Sequence, residues 1–303
     1  MGNEFAGEQA HSAEFFGETR DYWYNNDFLQ LLRRRLGLDA VLTVLDVGSG
    51  AGHWSRVLAS MLTEEATLVG VDREQRWVQA ATDRAAAAGL GERFRYQQAS
   101  GDALPFPDDT FDLVTCQTVL IHCPDPRAVL AEMLRVTRPG GRVLVAEPNN
   151  MTGVMMSPHA VSTPVDDLVA LVGLEARCER GKAALGDGDN SFGEQVPALF
   201  AALGLRHVTV CLNDRAVAVL PPYDAPGNRA WVEEAEASFA RELWMWDRAT
   251  TERYYLAGGG AAAGFEELWA LAGRACERVV NEVRAGAYAQ AGGFVMYLVS
   301  GTK

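Results

Sequence analysis

Residues 44–52 read Val-Leu-Asp-Val-Gly-Ser-Gly-Ala-Gly, and no other stretch constrains the fold so tightly. An apolar run ends at Asp46, glycines follow at 48, 50 and 52, and a helix-like pattern starts at Trp54. A strand that breaks into such a turn and re-forms as a helix leaves main-chain N–H groups exposed at the helix N-terminus. Without side chains on the turn, a ligand can lie directly on the backbone. The spacing is G-x-G-x-G, and His53 stands where the dinucleotide fingerprint G-x-G-x-x-G has its last glycine. A nicotinamide-dependent dehydrogenase is therefore disfavoured.

From residue 41 onward the pattern alternates. Strands are predicted at 41–47, 67–72, 93–99, 111–116 and 142–147, and helices at 53–62, 75–88 and 126–137. Strands such as Phe111-Asp112-Leu113-Val114-Thr115-Cys116 lie between helices and are apolar on both faces, which indicates a parallel sheet covered on both sides. Asp125 as N-cap, Pro126 at the first helical position and Gly140-Gly141 beyond the end punctuate the last of these helices. A further helix over 20–36, with Tyr22, Trp23, Phe28, Leu31, Leu32 and Leu36 as its apolar stripe, precedes the sheet, and residues 1–12 read as frayed. After residue 148 the rhythm breaks: helix 164–182, loop 184–191, helix 192–203, strand 207–212, some eighty residues of helical and aromatic character, and a last strand 294–299. The segments are a helical cap (1–40), an α/β core (41–149), a helical insertion (150–191), a core continuation (192–213), a second helical insertion (214–291) and a final strand (292–303).

The 303 residues carry a formal charge of −13, which opposes binding to nucleic-acid phosphates or anionic lipid. The nearest basic patch, Arg33-Arg34-Arg35, reads as an exposed helix end. Cys116, Cys123, Cys178, Cys211 and Cys276 show no C-x-x-C pairing, so they read as reduced and structural. The first 20 residues are polar and no apolar run approaches ~20 residues. A cytoplasmic protein without a nucleic-acid or membrane partner is expected, and its oligomeric state is left open.

Asp72 ends the second strand about 20 residues past the glycine turn, where an acid can accept hydrogen bonds from both hydroxyls of a ribose; a plain strand-end turn is the alternative. Asp102, in Ser100-Gly101-Asp102-Ala103 after the third strand, is placed to accept an adenine amino proton while the Ala103 N–H donates to the ring. A turn or helix cap is the other reading. Asp46 either orients the glycine loop or meets a ligand ammonium.

The ordered set Asp46-x-Gly48-x-Gly50-x-Gly52, Asp72, Gly101-Asp102-Ala103-Leu104-Pro105-Phe106, Phe111-Asp112-Leu113-Val114 and Arg138-Pro139-Gly140-Gly141 resembles class I S-adenosylmethionine-dependent methyltransferases. The similarity is greatest to the small-molecule branch of ubiquinone/menaquinone-biosynthesis and natural-product tailoring enzymes, close over residues 40–150 and only in outline elsewhere. It implies a doubly wound seven-stranded α/β sheet, mostly parallel, with an antiparallel hairpin of the sixth and seventh strands (207–212 and 294–299) and helical cap insertions. It implies S-adenosyl-L-methionine as cofactor. Gly48, Ser49, Gly50 and Gly52 would carry it, the glycines beneath its methionine part with Asp46 nearby. Asp72 would hold the ribose beside Arg73. Gly101, Asp102 and Ala103 would hold adenine, and Gln117 would face the sulfur end.

Methyl transfer from a sulfonium requires alignment and exclusion of water, and a base only when the nucleophile arrives protonated. His122, just after the fourth strand, is the first candidate base, or else a histidine that shapes its loop. Glu147, at the tip of the fifth strand, is the second. His53 packs or contacts the cofactor carboxylate. Tyr22, Trp23, Tyr24, Trp244, Trp246, Tyr254 and Tyr255 either line an apolar acceptor pocket beneath a lid or are ordinary helical core. The glycine-alanine tract from Gly258 to Gly264 is either a mobile loop of that lid or a connection. Two similarities are set aside. Pro221-Pro222-Tyr223 follows the sixth strand and Leu220, whereas the loop of adenine- and glutamine-acting amino-methyltransferases follows the fourth. Asp187-x-Asp189-Asn190 lacks the distal acid of a calcium loop. The reading is metal-independent methyl transfer to a small molecule, with oxygen or nitrogen favoured over carbon as acceptor. Its alternative is an S-adenosylmethionine-binding protein of the same fold that catalyses another reaction or none.

Overall fold

A computed structural model of the chain describes residues 18–303 apart from 155–158, 160, 215 and 294. Five strands appear where alternation predicts them: β1 (Thr43–Val47), β2 (Thr67–Asp72), β3 (Phe94–Gln98), β4 (Phe111–Gln117) and β5 (Thr137–Pro148). They pair in parallel, and the order along the sheet runs outward from β1 through β2 to β3 on one side and through β4 to β5 on the other. β6 (Arg206–Leu212) and the last strand, here β9 (Met296–Thr302), complete seven strands in the order β3-β2-β1-β4-β5-β9-β6, with β9 antiparallel to both neighbours. The expected sheet is therefore present. Phe294, placed in the last strand on sequence grounds, lies outside the described residues, as do residues 1–12.

Period-two alternation explains the continuous apolar runs. Val44, Leu68, Leu113 and Leu144 join a core on one face with the helices Asn26–Leu36 and His53–Ala59. Leu45, Val71, Val114 and Val145 join a second core on the other face with the helix Pro126–Val136. Asp125 caps that helix as predicted, accepting from the main-chain N–H of Arg127 and Ala128.

Two expectations are corrected. The helix predicted over 20–36 is broken into a 3₁₀ turn, Glu18–Tyr22, and the helix Asn26–Leu36. Trp23 and Tyr24 turn into the core between them, where Tyr24 stacks on Phe28 and tilts against Trp54. The segment read as a helical insertion over 214–291 begins and ends in a small antiparallel sheet of β7 (Ala216–Val219) and β8 (Gln290–Gly293). These four-residue strands are joined only across some seventy residues of chain, so no local turn announces the pair.

The cap consists of the helices Val165–Ala184, Pro226–Ala240, Arg248–Ala257 and Ala262–Arg284. Its own core gathers Leu174, Cys178, Tyr254, Tyr255, Phe265 and Ala272. The first and third helices touch backbone to backbone: a Cβ on Gly181 would stand 1.7 Å from the Tyr254 carbonyl oxygen, and one on Gly258 1.9 Å from that of Arg177. The first glycine of the 258–264 tract thus serves close helix packing.

Candidate functional site

The C-terminal ends of β1, β2, β3 and β4 lie side by side, Val47 opposite Val71 and Cys116, and Asp72 opposite Gln98. Because the strand order reverses between β1 and β4, the loops leaving those strands diverge and open a crevice. A cleft of about 200 Å³ occupies that place. The glycine turn forms its floor. Gly48, Gly50 and Gly52 have φ of 67°, 50° and 79°, in the left-handed region, and a Cβ on Gly48 would meet the Val119 side chain at 2.4 Å. The turn is tied to β2: the Ser49 N–H donates to the Val71 carbonyl at 2.9 Å and the Gly50 N–H to Asp72 Oδ2 at 2.9 Å.

Of the residues assigned to the site from sequence, Gly48, Ser49, Gly50, Asp72, Arg73, Gly101, Asp102, Gln117 and His122 all line this cleft, as does His53. Asp72 also accepts from the Glu74 N–H at 3.0 Å, which fixes the carboxylate. Asp102 accepts from the Ser100 hydroxyl. The Gln117 amide donates to the Tyr24 hydroxyl at 3.2 Å.

Four assigned residues lie off the lining. The Gly52 N–H closes the turn on the Ser49 carbonyl at 2.8 Å. The Ala103 N–H, expected to face a ring, donates instead to the Ser100 carbonyl at 3.2 Å within its own turn. Asp46 is buried behind the glycine loop, accepts from the Ser55 hydroxyl at 2.5 Å, and is pushed up to about 7 by burial. Glu147 is fully buried behind β4. One of its oxygens accepts the Val119 and Leu120 N–H groups at 2.8 Å each, and burial pushes its carboxyl up to about 7. It holds the backbone that leads to His122 and does not itself reach the cleft.

Arg20 and Thr118 are among the lining residues that sequence reasoning did not assign to the site. Arg20 comes from the 3₁₀ turn, is buried, and donates to Thr118 Oγ1 at 2.8 Å; burial lowers its guanidinium to about 10. Thr118 has φ of 53°, a strained conformation for a β-branched residue, at the tip of β4. Neighbouring Asp21 anchors the turn through His53 Nδ1 at 3.1 Å and through Arg56. Burial acts to raise Asp21, but these two partners outweigh it and hold the carboxyl at about 2. Arg84 donates to His53 Nε2 at 2.5 Å, so the imidazole is the neutral Nδ1–H form, in keeping with a pKa lowered by burial. The only signal for Arg20 in the sequence is a cation set in the aromatic stretch 20–24.

Tyr254 and Tyr255 belong to the cap core with Trp244 and Trp246 packed on it, and Tyr24 and Trp23 to the sheet core; none lines the cleft. The ordinary-core alternative therefore holds for these six. The acids of the 184–191 loop are engaged by protein groups: Asp187 by Arg253 and Tyr254, Asp189 by the Ser191 N–H and Gln195. Among the described residues no helix is long and apolar enough to cross a membrane.

Residues 45–145 match the family described as a methyltransferase domain. The chain is 33% identical over 136 residues to the uncharacterized methyltransferase YcgJ of Bacillus subtilis, covering 45% of this chain and 52% of that protein. It is 38% identical over 116 residues to the methyltransferase GfsG of Streptomyces halstedii, covering 38% and 41%. It is 30% identical over 160 residues to the ubiquinone/menaquinone biosynthesis C-methyltransferase UbiE of Hahella chejuensis, covering 50% and 64%. The chain thus spans about half the length of the curated relatives it matches.

Proposed function

We propose, from residues 45–145 belonging to the methyltransferase-domain family and from the cleft they form, that this chain transfers a methyl group from S-adenosylmethionine to a small-molecule acceptor. The observation that carries the proposal is the convergence of the glycine turn, Asp72 and Asp102 on one cleft at the reversal of strand order. The donor set fits such a cofactor. The Ser49 hydroxyl, on the lining, is buried and has no hydrogen-bond partner among the described residues. A bare main-chain floor lies beside it, and Asp72 offers acceptors for a diol.

Bound S-adenosylmethionine would supply a methyl group on a sulfonium leaving group. The chain's residues do the rest. Asp72 and Asp102 orient the nucleoside end, and the glycine turn lets the backbone approach the amino-acid end. Arg20, held beside Thr118, offers a cation to a carboxylate. Gln117 and Thr118 wall the sulfur end and exclude water. His122, on the same wall, takes the proton of an acceptor that arrives as a hydroxyl or protonated amine, which favours oxygen or nitrogen over carbon. The relative named as a C-methyltransferase matches half of this chain and does not carry the acceptor assignment. No residue of this scheme calls for a metal.

Calorimetric titration with S-adenosylhomocysteine and, separately, NADH tests the proposal. Saturable binding of the first alone is expected; binding of NADH without S-adenosylhomocysteine would falsify the assignment. Binding without transfer of labelled methyl across a panel of hydroxyl, amine and carbon acceptors would favour a non-transferase role on the same fold.

A further inference from the structure

We propose that Lys182, on the cap helix Val165–Ala184, is the positioning residue for the wall of the cleft that carries His122. Lys182 is 4% exposed. Its ammonium donates to the Ile121 carbonyl at 3.0 Å and to Asn190 Oδ1 at 2.6 Å, and the Asn190 amide in turn donates to Glu179 Oε1 at 3.3 Å. From the opposite side Glu147 accepts the Val119 and Leu120 N–H groups, and the His122 N–H closes on the Val119 carbonyl at 3.0 Å. The backbone from 119 to 122 is thus held from the sheet by a carboxylate and from the cap by an ammonium. The 184–191 loop presses on the same peptide: a Cβ on Gly188 would stand 2.0 Å from the Ile121 carbonyl oxygen and 3.0 Å from His122 Cα.

A buried ammonium is costly, and apolar packing would join cap to core without that cost. Burial lowers the Lys182 pKa, while Glu179, Asp187, Asp189 and Glu147 around it favour the cationic form. What the ammonium gains, and a methionine would not, is a directional bond to the carbonyl next to His122. A cap ion pair away from this loop, Arg284 Nε to Glu236 at 3.1 Å, is far more exposed and touches no residue of 119–122. The inference rests on the methyltransferase reading only in naming this wall the acceptor side.

The test uses the full chain with labelled histidine, the His122 ring signals being assigned with His122→Gln. Lys182→Met is expected to move those signals and to speed amide exchange at Val119, Leu120 and His122 by about tenfold or more. Arg284→Ala, which loosens the cap at Glu236 on another helix, is expected to leave both unchanged. Unaltered ring signals and exchange in Lys182→Met, or equal changes in Arg284→Ala, would overturn the proposal. Should Lys182→Met not fold, Asn190→Ala decides by the same readouts, with smaller changes at the same residues expected. S-adenosylhomocysteine titration of the same wild-type sample separates the two ideas. Failure to bind counts against the methyltransferase reading, while the ring signals still decide the role of Lys182.

Discussion

Strand β4 buries every residue from Phe111 to Gln117, whereas the cap helix Pro226–Ala240 buries none. Helices cover both faces of the central strands, and the cleft forms at the C-terminal ends of those strands. The cap encloses a smaller aromatic core and meets the sheet region near the cleft through a short list of polar contacts, Lys182 among them. The proposed cofactor site thus lies in the more deeply buried part of the molecule. Among the described residues no cap helix lines the cleft, and the cap reaches its wall through Lys182 at the Ile121 carbonyl.

Four experiments break or sharpen that contrast. Phe265→Ala, at a fully buried cap position, should cost about 3–5 kcal/mol of cap stability. Denaturant unfolding followed through Trp244, Trp246 and Trp269 should then show the cap melting before the sheet, and a single coincident transition would merge the two regions. The next effect lies at their junction. Burial raises Glu147 from 4.5 to about 7, so the folded chain binds its proton more tightly than the unfolded chain. The stability this provides is complete below pH about 4.5 and is lost as pH rises to about 7, a change of up to about 3 kcal/mol. Glu147→Gln, which keeps an acceptor for the Val119 and Leu120 N–H groups, should flatten the fall of melting temperature between those pH values. Asp46, also raised to about 7, should leave a residual slope. An unchanged slope in Glu147→Gln would remove that carboxyl from the pH response.

Asp72→Ala should weaken S-adenosylhomocysteine binding by about 1–3 kcal/mol while leaving the cap transition in place. An unaltered dissociation constant would take Asp72 out of the ribose role. Arg253→Ala removes a part-exposed ion pair and should lower cap stability by at most about 1 kcal/mol, read from the same denaturant curves. A larger loss would mean that the cap depends on its surface charges more than on Phe265 and its neighbours.

Much of the site was legible because its signals are local. The turn from Gly48 to Gly52, Asp72 at a strand tip and Asp102 in a Ser-Gly-Asp turn each announce themselves within a few residues, and parallel pairing then brings strand ends together. Arg20 was not legible: it reaches the cleft by a bond to Thr118, 98 residues away, from a turn too short to show a period. Glu147 looked like a candidate base because it stands at a strand tip, yet the Val119 and Leu120 N–H groups claim it from behind. The β7–β8 pair was hidden for a related reason, four-residue strands being too short to show a period and lying some seventy residues apart.

The amino-acid pattern alone determined the α/β core, the glycine floor and the acids that face it, because strand alternation, helix caps and bare turns depend on neighbours in the chain. Tertiary structure alone decided that Arg20 and Thr118 meet in the cleft and that a cap lysine holds the wall beside His122. Which partner a polar group finds depends on what packing brings within about 3 Å of it, and distance along the chain carries no record of that.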